Sequence, residues 1–205
     1  PLMRTLASLG LLAVLLAPSL TAQVRGLPVV NNGVPTGIGL AVDAGFADRN
    51  GGKATTYGAS AAIGLGFVGV GGAVSRTDPE TGEAGWSQAV SASLNILGGP
   101  LVPVRVTMMG GVGRWESNGF TVTRIPVSLG LSATIPLPAL AIKPWIAPRY
   151  ERLTFENATG DDRWAVAGGI DFAMINGLSF RAAYDRTFLL GNDPGILSFG
   201  LGFAP

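Results

Sequence analysis

From Thr36 onward the chain alternates small or polar residues with apolar ones, and it does so in segment after segment. The C-terminal run Ile196-Leu197-Ser198-Phe199-Gly200-Leu201-Gly202-Phe203 shows the pattern: Leu197, Phe199, Leu201 and Phe203 fall on one face and Ser198, Gly200 and Gly202 on the other. Successive side chains of a strand point to opposite faces, so each segment presents a broad apolar face backed by a narrow polar one. Ten such strands are expected, over 36–46, 54–66, 68–77, 85–97, 102–115, 120–135, 142–155, 162–175, 178–189 and 195–203. An eight-strand alternative stays open if the 54–77 region forms fewer, longer elements. A strand of about 12 residues, tilted ~45°, covers a little under 30 Å, the thickness of a bilayer's hydrocarbon core. The expected fold class is an all-β, closed, antiparallel up-and-down transmembrane barrel.

The first residues carry an export pattern. Arg4 precedes a short apolar core, Leu9–Ala17, and Pro18-Ser19-Leu20-Thr21-Ala22 has the character of a cleavage region. Residues 1–22 are therefore read as a signal peptide, with Met3 as the expected start, and 23–205 as the barrel domain. Mean hydropathy is +0.41 and 13% of residues are charged, yet no internal apolar run reaches the roughly 18 residues of a spanning helix. Without Arg4 the chain holds 13 basic and 13 acidic residues. That balance gives no support to nucleic-acid binding, which needs a basic patch.

Connections between the expected strands alternate in character. The odd ones are polar, as in Ala47–Lys53 and Asp78–Ala84; the even ones are tight or apolar, as at Gly66-Phe67 and Asn176-Gly177. Long polar loops outside and short turns in the periplasm are the arrangement of outer-membrane barrels. The 162–175/178–189 hairpin can be read in register. A three-residue loop, Ile175-Asn176-Gly177, sets Phe172 opposite Phe180, Gly168 opposite Tyr184 and Asp171 opposite Arg181. Aromatic residues, among them Trp86, Trp115, Trp164, Phe67, Trp145 and Phe203, gather near strand ends as two interface girdles.

These features resemble the small outer-membrane β-barrel proteins of the OmpA, OmpX and OmpW type, over about residues 36–203. The terminal Phe199-x-Leu201-x-Phe203 is similar to the strand signal read by the barrel-assembly machinery, although the chain continues to Ala204-Pro205. The resemblance implies a Gram-negative cell envelope and contact with outer-membrane lipid and lipopolysaccharide; no cofactor is expected. It leaves the oligomeric state open.

The chemistry of catalysis is thin. The chain has no His and no Cys, which removes His-activated nucleophiles, His-ligated metals and thiolates. No paired carboxylates stand out, so no catalytic or metal-binding residue is expected. Strand parity instead places a charge network in the lumen: Asp43, Arg105, Arg149, Glu151, Asp171, Arg181 and Asp185. Pro144 and Pro148 could insert a bulge that flips Arg149 and Glu151. Many other inward positions are small, including Gly58, Gly64, Gly69 and Gly130. In a ten-stranded barrel of roughly 10 Å backbone radius they leave room for water and a narrow porin-like path. Three functions follow: a structural envelope barrel passing at most small solutes or ions, a transport barrel for small or hydrophobic molecules, or a soluble exported lipocalin-like barrel with its apolar face inward.

Overall fold

In the computed structural model, the described residues are 24–98, 102–117, 119–156, 158–189 and 191–204. The expected signal peptide lies outside them. Eleven strands follow one another: β1 (Gly37–Ala47), β2 (Ala54–Leu65), β3 (Val68–Pro79), β4 (Gly85–Leu97), β5 (Val104–Ser117), β6 (Phe120–Ala133), β7 (Ile135–Pro136), β8 (Leu140–Phe155), β9 (Ala158–Met174), β10 (Leu178–Phe188) and β11 (Gly195–Phe203). β7 is a two-residue extension of the β6 arm, paired with Ile142 and Ala141 of β8. The other ten form the wall. Each is antiparallel to its chain neighbour, β6 pairs with β8, and β1 pairs with β11 from Leu40↔Phe203 to Ala47↔Ile196. The first and last strands therefore close the sheet, and the eight-strand alternative does not hold. β2 and β3 are separate arms of a hairpin turned at Gly66, whose φ of 76° suits glycine.

Apolar side chains point outward all around the wall. Leu40, Leu65, Val90, Trp164 and Leu201 are 53–71% exposed, while the inward residues that alternate with the outward ones are mostly buried. The inward apolar face that a lipocalin-like protein needs is not what this barrel has. Phe199, Leu201 and Phe203 of the terminal motif are among the outward residues.

The hairpin register holds residue for residue: Phe172↔Phe180, Gly168↔Tyr184 and Asp171↔Arg181. Gly177 takes φ 84° at the end of the three-residue loop, the left-handed site that such a loop requires. β8 passes through both prolines without a slip. Its pairing with β9 runs in one register from Leu140↔Met174 to Leu153↔Asp161, with an irregularity only at Leu153/Phe155. Pro144 and Pro148 face outward, so Arg149 and Glu151 keep their inward parity.

The aromatic girdles need correction. Trp145 is buried in the lumen at 5% exposure and clusters with Val30, Ala147, Ala167 and Ala183. It shares the parity of Arg149 and lies opposite Ser132 and Gly169, both inward. Trp115 also turns inward, because it opposes buried Ser87. The outward aromatics at that end of the strands are Phe46, Tyr57, Trp86, Tyr150, Trp164 and Phe188.

Connections β1–β2, β3–β4, β5–β6, β8–β9 and β10–β11 gather at one end, here the loop end. The tighter connections, the start of β1 and the end of β11 gather at the other, the turn end.

Candidate functional site

Residues 24–35 have no strand periodicity. They hold Gly26, Pro28, Gly33 and Pro35, which punctuate regular structure. They nevertheless run inside the barrel. Val24, Leu27, Val29, Val30, Asn31, Asn32 and Val34 are all at most 4% exposed. Tracing backwards from β1, the segment enters at the turn end and climbs to the loop end. Pro35 packs on Gly64 and Gly69, and the Val34 amide donates to Asn95 Oδ1 at 3.2 Å. Midway, Asn31 Nδ2 donates to the Thr107 carbonyl at 3.0 Å and to Ser128 Oγ at 2.9 Å. At the loop end the Arg25 amide donates to Ser87 Oγ at 2.9 Å, and its carbonyl accepts from Ser75 Oγ at 3.1 Å and Thr77 Oγ1 at 3.4 Å.

The small inward residues thus have a different meaning from the one the sequence suggested. At several of them the space is taken by chain. A Cβ on Gly64 would overlap the Pro35 carbonyl, one on Gly130 the Asn31 carbonyl, and one on Gly45 the Gly26 carbonyl. A Cβ on Gly58 would meet Leu27. These are approaches of backbone or bulky side chain to bare backbone, the use to which glycine is suited.

Six of the seven charged residues expected in the lumen lie in two groups, and Arg105 stands apart from both. The first lies in the half nearer the loop end. Arg124 donates to Glu151 Oε2 (Nη2 at 2.5 Å), Arg149 donates to the same oxygen through Nε at 2.9 Å, and Arg149 Nη1 and Nη2 bridge to Asp185 at 2.5 and 2.9 Å. Two arginines and two carboxylates balance. Burial of each is tolerable because each is paired and hydrogen-bonded. The second group lies toward the turn end: Arg181 Nε donates to Asp171 Oδ1 at 2.6 Å, with Asp43 against Gly200 beside them.

Both groups hold the segment. Asp185 Oδ2 accepts from the Val29 amide at 3.1 Å as well as from Arg149. Asp171 Oδ2 accepts from Asn32 Nδ2. A carboxylate bonded to arginine and to the segment ties wall to filling, and charge-assisted bonds of this kind are about twice as strong as neutral ones. Arg105 is buried on β5 without an ion pair among the described residues, its Nε lacking a protein partner.

Sequence reasoning omitted two buried inward cations, Arg124 and Lys143. Their parity matches that of Ser128 and Arg149 respectively, so alternation was sufficient to find them. Nothing comparable marked residues 24–35, whose burial depends on a wall built from the rest of the chain.

No protein-family model matches the chain, and no curated protein matches it. Solved structures do. The β domain of the Bordetella autotransporter Brka aligns with a TM-score of 0.56 at 13% identity, over 82% of this chain and 98% of that one. The outer membrane enzyme PagL aligns at TM-score 0.43 and 11% identity, over 82% and 99%. The translocator domain of autotransporter NalP from Neisseria meningitidis aligns at 0.40 and 11%, over 83% and 89%. The class is a closed antiparallel up-and-down barrel with an apolar exterior. More particularly, the fold is that of the small outer-membrane β-barrels, here with a lumen occupied by the chain's own N-terminal segment.

Proposed function

We propose that the protein is a bacterial outer-membrane barrel of structural, non-enzymatic role, sealed against solute passage by residues 24–35. One observation carries this reading: a backbone segment fills the lumen from the turn end to the loop end, fitted to wall glycines and bonded to Asp171 and Asp185. The orientation follows from the sorting of connections, with the loop end outside and the turn end in the periplasm. Outer-membrane lipid surrounds the exposed apolar wall, and the barrel-assembly machinery inserts it.

A transport role is the second reading, favoured by the polarity of the seal. Asn31 Oδ1 and Asn32 Oδ1 are buried without a protein partner, and a segment fixed mainly by hydrogen bonds exchanges them for water when it leaves. Planar-bilayer recording of the full chain tests the choice. The sealed barrel gives no steady current after insertion is verified by a heat-modifiable gel shift. A constant open conductance in the unmodified protein would overturn the structural reading in favour of transport.

A further inference from the structure

The outward face carries a charge asymmetry that neither the seal nor the lumen network uses. Four arginines point away from the lumen: Arg76 on β3, Arg114 on β5, Arg152 on β8 and Arg186 on β10. All four lie within a few residues of the loop end. Among the described residues, no outward cation occupies the turn end, where the same face shows Ile38, Leu65, Val104, Ile135 and Leu178. An arginine on the lipid face costs about 2–4 kcal/mol at the bilayer midplane and close to nothing at the interface. The band therefore marks one headgroup layer and not the other.

The band is loosely satisfied within the protein. Arg76 meets Asp78 at 3.4 Å, Arg186 meets Asp193 at 3.2 Å and Arg152 meets Asp162 at 4.0 Å, with each arginine about half exposed. Exposed pairs of this geometry hold little energy. Arg114 has no acidic partner among the described residues; its one hydrogen bond there is a 3.5 Å contact with Thr121 Oγ1. It borders a cavity of about 1030 Å³ at the rim, whose lining takes Val74, Trp86 and Gln88 from the outer face and Ser87 and Trp115 from the lumen face, and does not include Arg76. β4 separates the two nearest arginines: Arg76 opposes Trp86, and Gln88 opposes Arg114. Two strand spacings and a two-residue offset along β4 put the arginine backbones about 12 Å apart. Between them lie an indole and an amide, with the apolar wall directly below.

We propose that this notch is a binding site for the phosphorylated headgroup of an outer-leaflet glycolipid, with Arg114 and Arg76 holding phosphate over Trp86 and Gln88. Guanidinium forks match phosphate oxygens geometrically. The acyl chains continue down the outward face past Val74 and Val90, both about half exposed or more. Glu116 and Glu83 stand on the loop side of the arginines, where their charge suits divalent cations that accompany clustered phosphates. The site rests on the outer-membrane orientation proposed above and adds a ligand class to it.

The test uses the full chain folded into phosphatidylcholine vesicles, with and without diphosphorylated lipid A, followed by the temperature of the heat-modifiable transition. Diphosphorylated lipid A is expected to raise the midpoint by roughly 5 °C. Arg76→Gln with Arg114→Gln is expected to abolish most of that rise without changing the midpoint in plain vesicles, since both side chains are exposed. Arg114→Lys keeps part of it. A rise of equal size with dephosphorylated lipid A, a rise retained in the double variant, or an equal rise with inorganic phosphate alone would each overturn the glycolipid site. Failure of the unmodified chain to form a heat-modifiable barrel in any vesicle would instead overturn the outer-membrane reading beneath it.

Discussion

Gly130→Val and Gly64→Val, made singly, are each expected to convert a silent barrel into a conducting one. At either position the added carbon falls on a carbonyl of the lumen segment, Asn31 at Gly130 and Pro35 at Gly64. The wall strand cannot yield without breaking ladder bonds, to both neighbours at Gly64 and to β5 at Gly130, so the segment must give way. Overpacking of this kind costs about 1–3 kcal/mol. At the upper figure the displaced population rises roughly a hundredfold. With the segment out, a lumen of roughly 10 Å backbone radius remains, lined by Ser, Ala and Gly and by the charged groups around Arg149 and Asp171. Planar-bilayer current is the readout, and the expected result is frequent or sustained openings where the unmodified chain shows none. Gly72→Ala is the matched control. Gly72 faces outward, a Cβ there meets its nearest atom at an ordinary 3.6 Å, and its conductance should equal that of the unmodified protein.

Arg149→Ala is expected to have the largest effect on stability, about 3–5 kcal/mol, by the rule for removing one member of a buried pair. Arg149 is at the centre of its group, bonded to Glu151 and doubly to Asp185, and is 2% exposed. Its loss strips Asp185 of its cation and leaves it with the Val29 amide alone. Arg149→Met combined with Asp185→Leu removes both charges and is expected to cost less than the single change, although Val29 then loses its acceptor. Urea unfolding of the vesicle-embedded barrel, followed by tryptophan fluorescence, gives the order. A single change that moves stability by less than about 0.5 kcal/mol would show that water, not the pairing, satisfies these groups.

Alternation made the wall legible. Period-two patterning fixes which face is buried, and a one-residue slip would invert every side chain. That is why Phe172 could be set against Phe180 and Asp171 against Arg181 from sequence, and why Asp43, Arg105, Arg149, Glu151, Asp171, Arg181 and Asp185 all lie on the inward face. The same logic, carried through β8, would have turned Trp145 inward; its position near a strand end suggested a membrane girdle instead. The lumen segment was not legible because irregular chain has no period to betray its burial. Its trace was in the wall: Gly45, Gly58, Gly64, Gly69 and Gly130 are inward residues without side chains, and the space they leave accepts either water or backbone. Only the three-dimensional course of residues 24–35 decides between them.

The most direct measurement uses the absence of cysteine from the chain. Val29→Cys introduces a single thiol at a position that is completely buried in the lumen, and Thr81→Cys places one in the exposed β3–β4 connection as a reference. Folded protein in detergent micelles is treated with a charged maleimide, and labelling is followed in time by mass. If residues 24–35 occupy the lumen, the thiol introduced at position 29 stays unmodified while the barrel is folded and reacts at once in urea. Labelling of that thiol in the folded barrel as fast as in urea would place the segment outside the lumen and contradict the account at its centre.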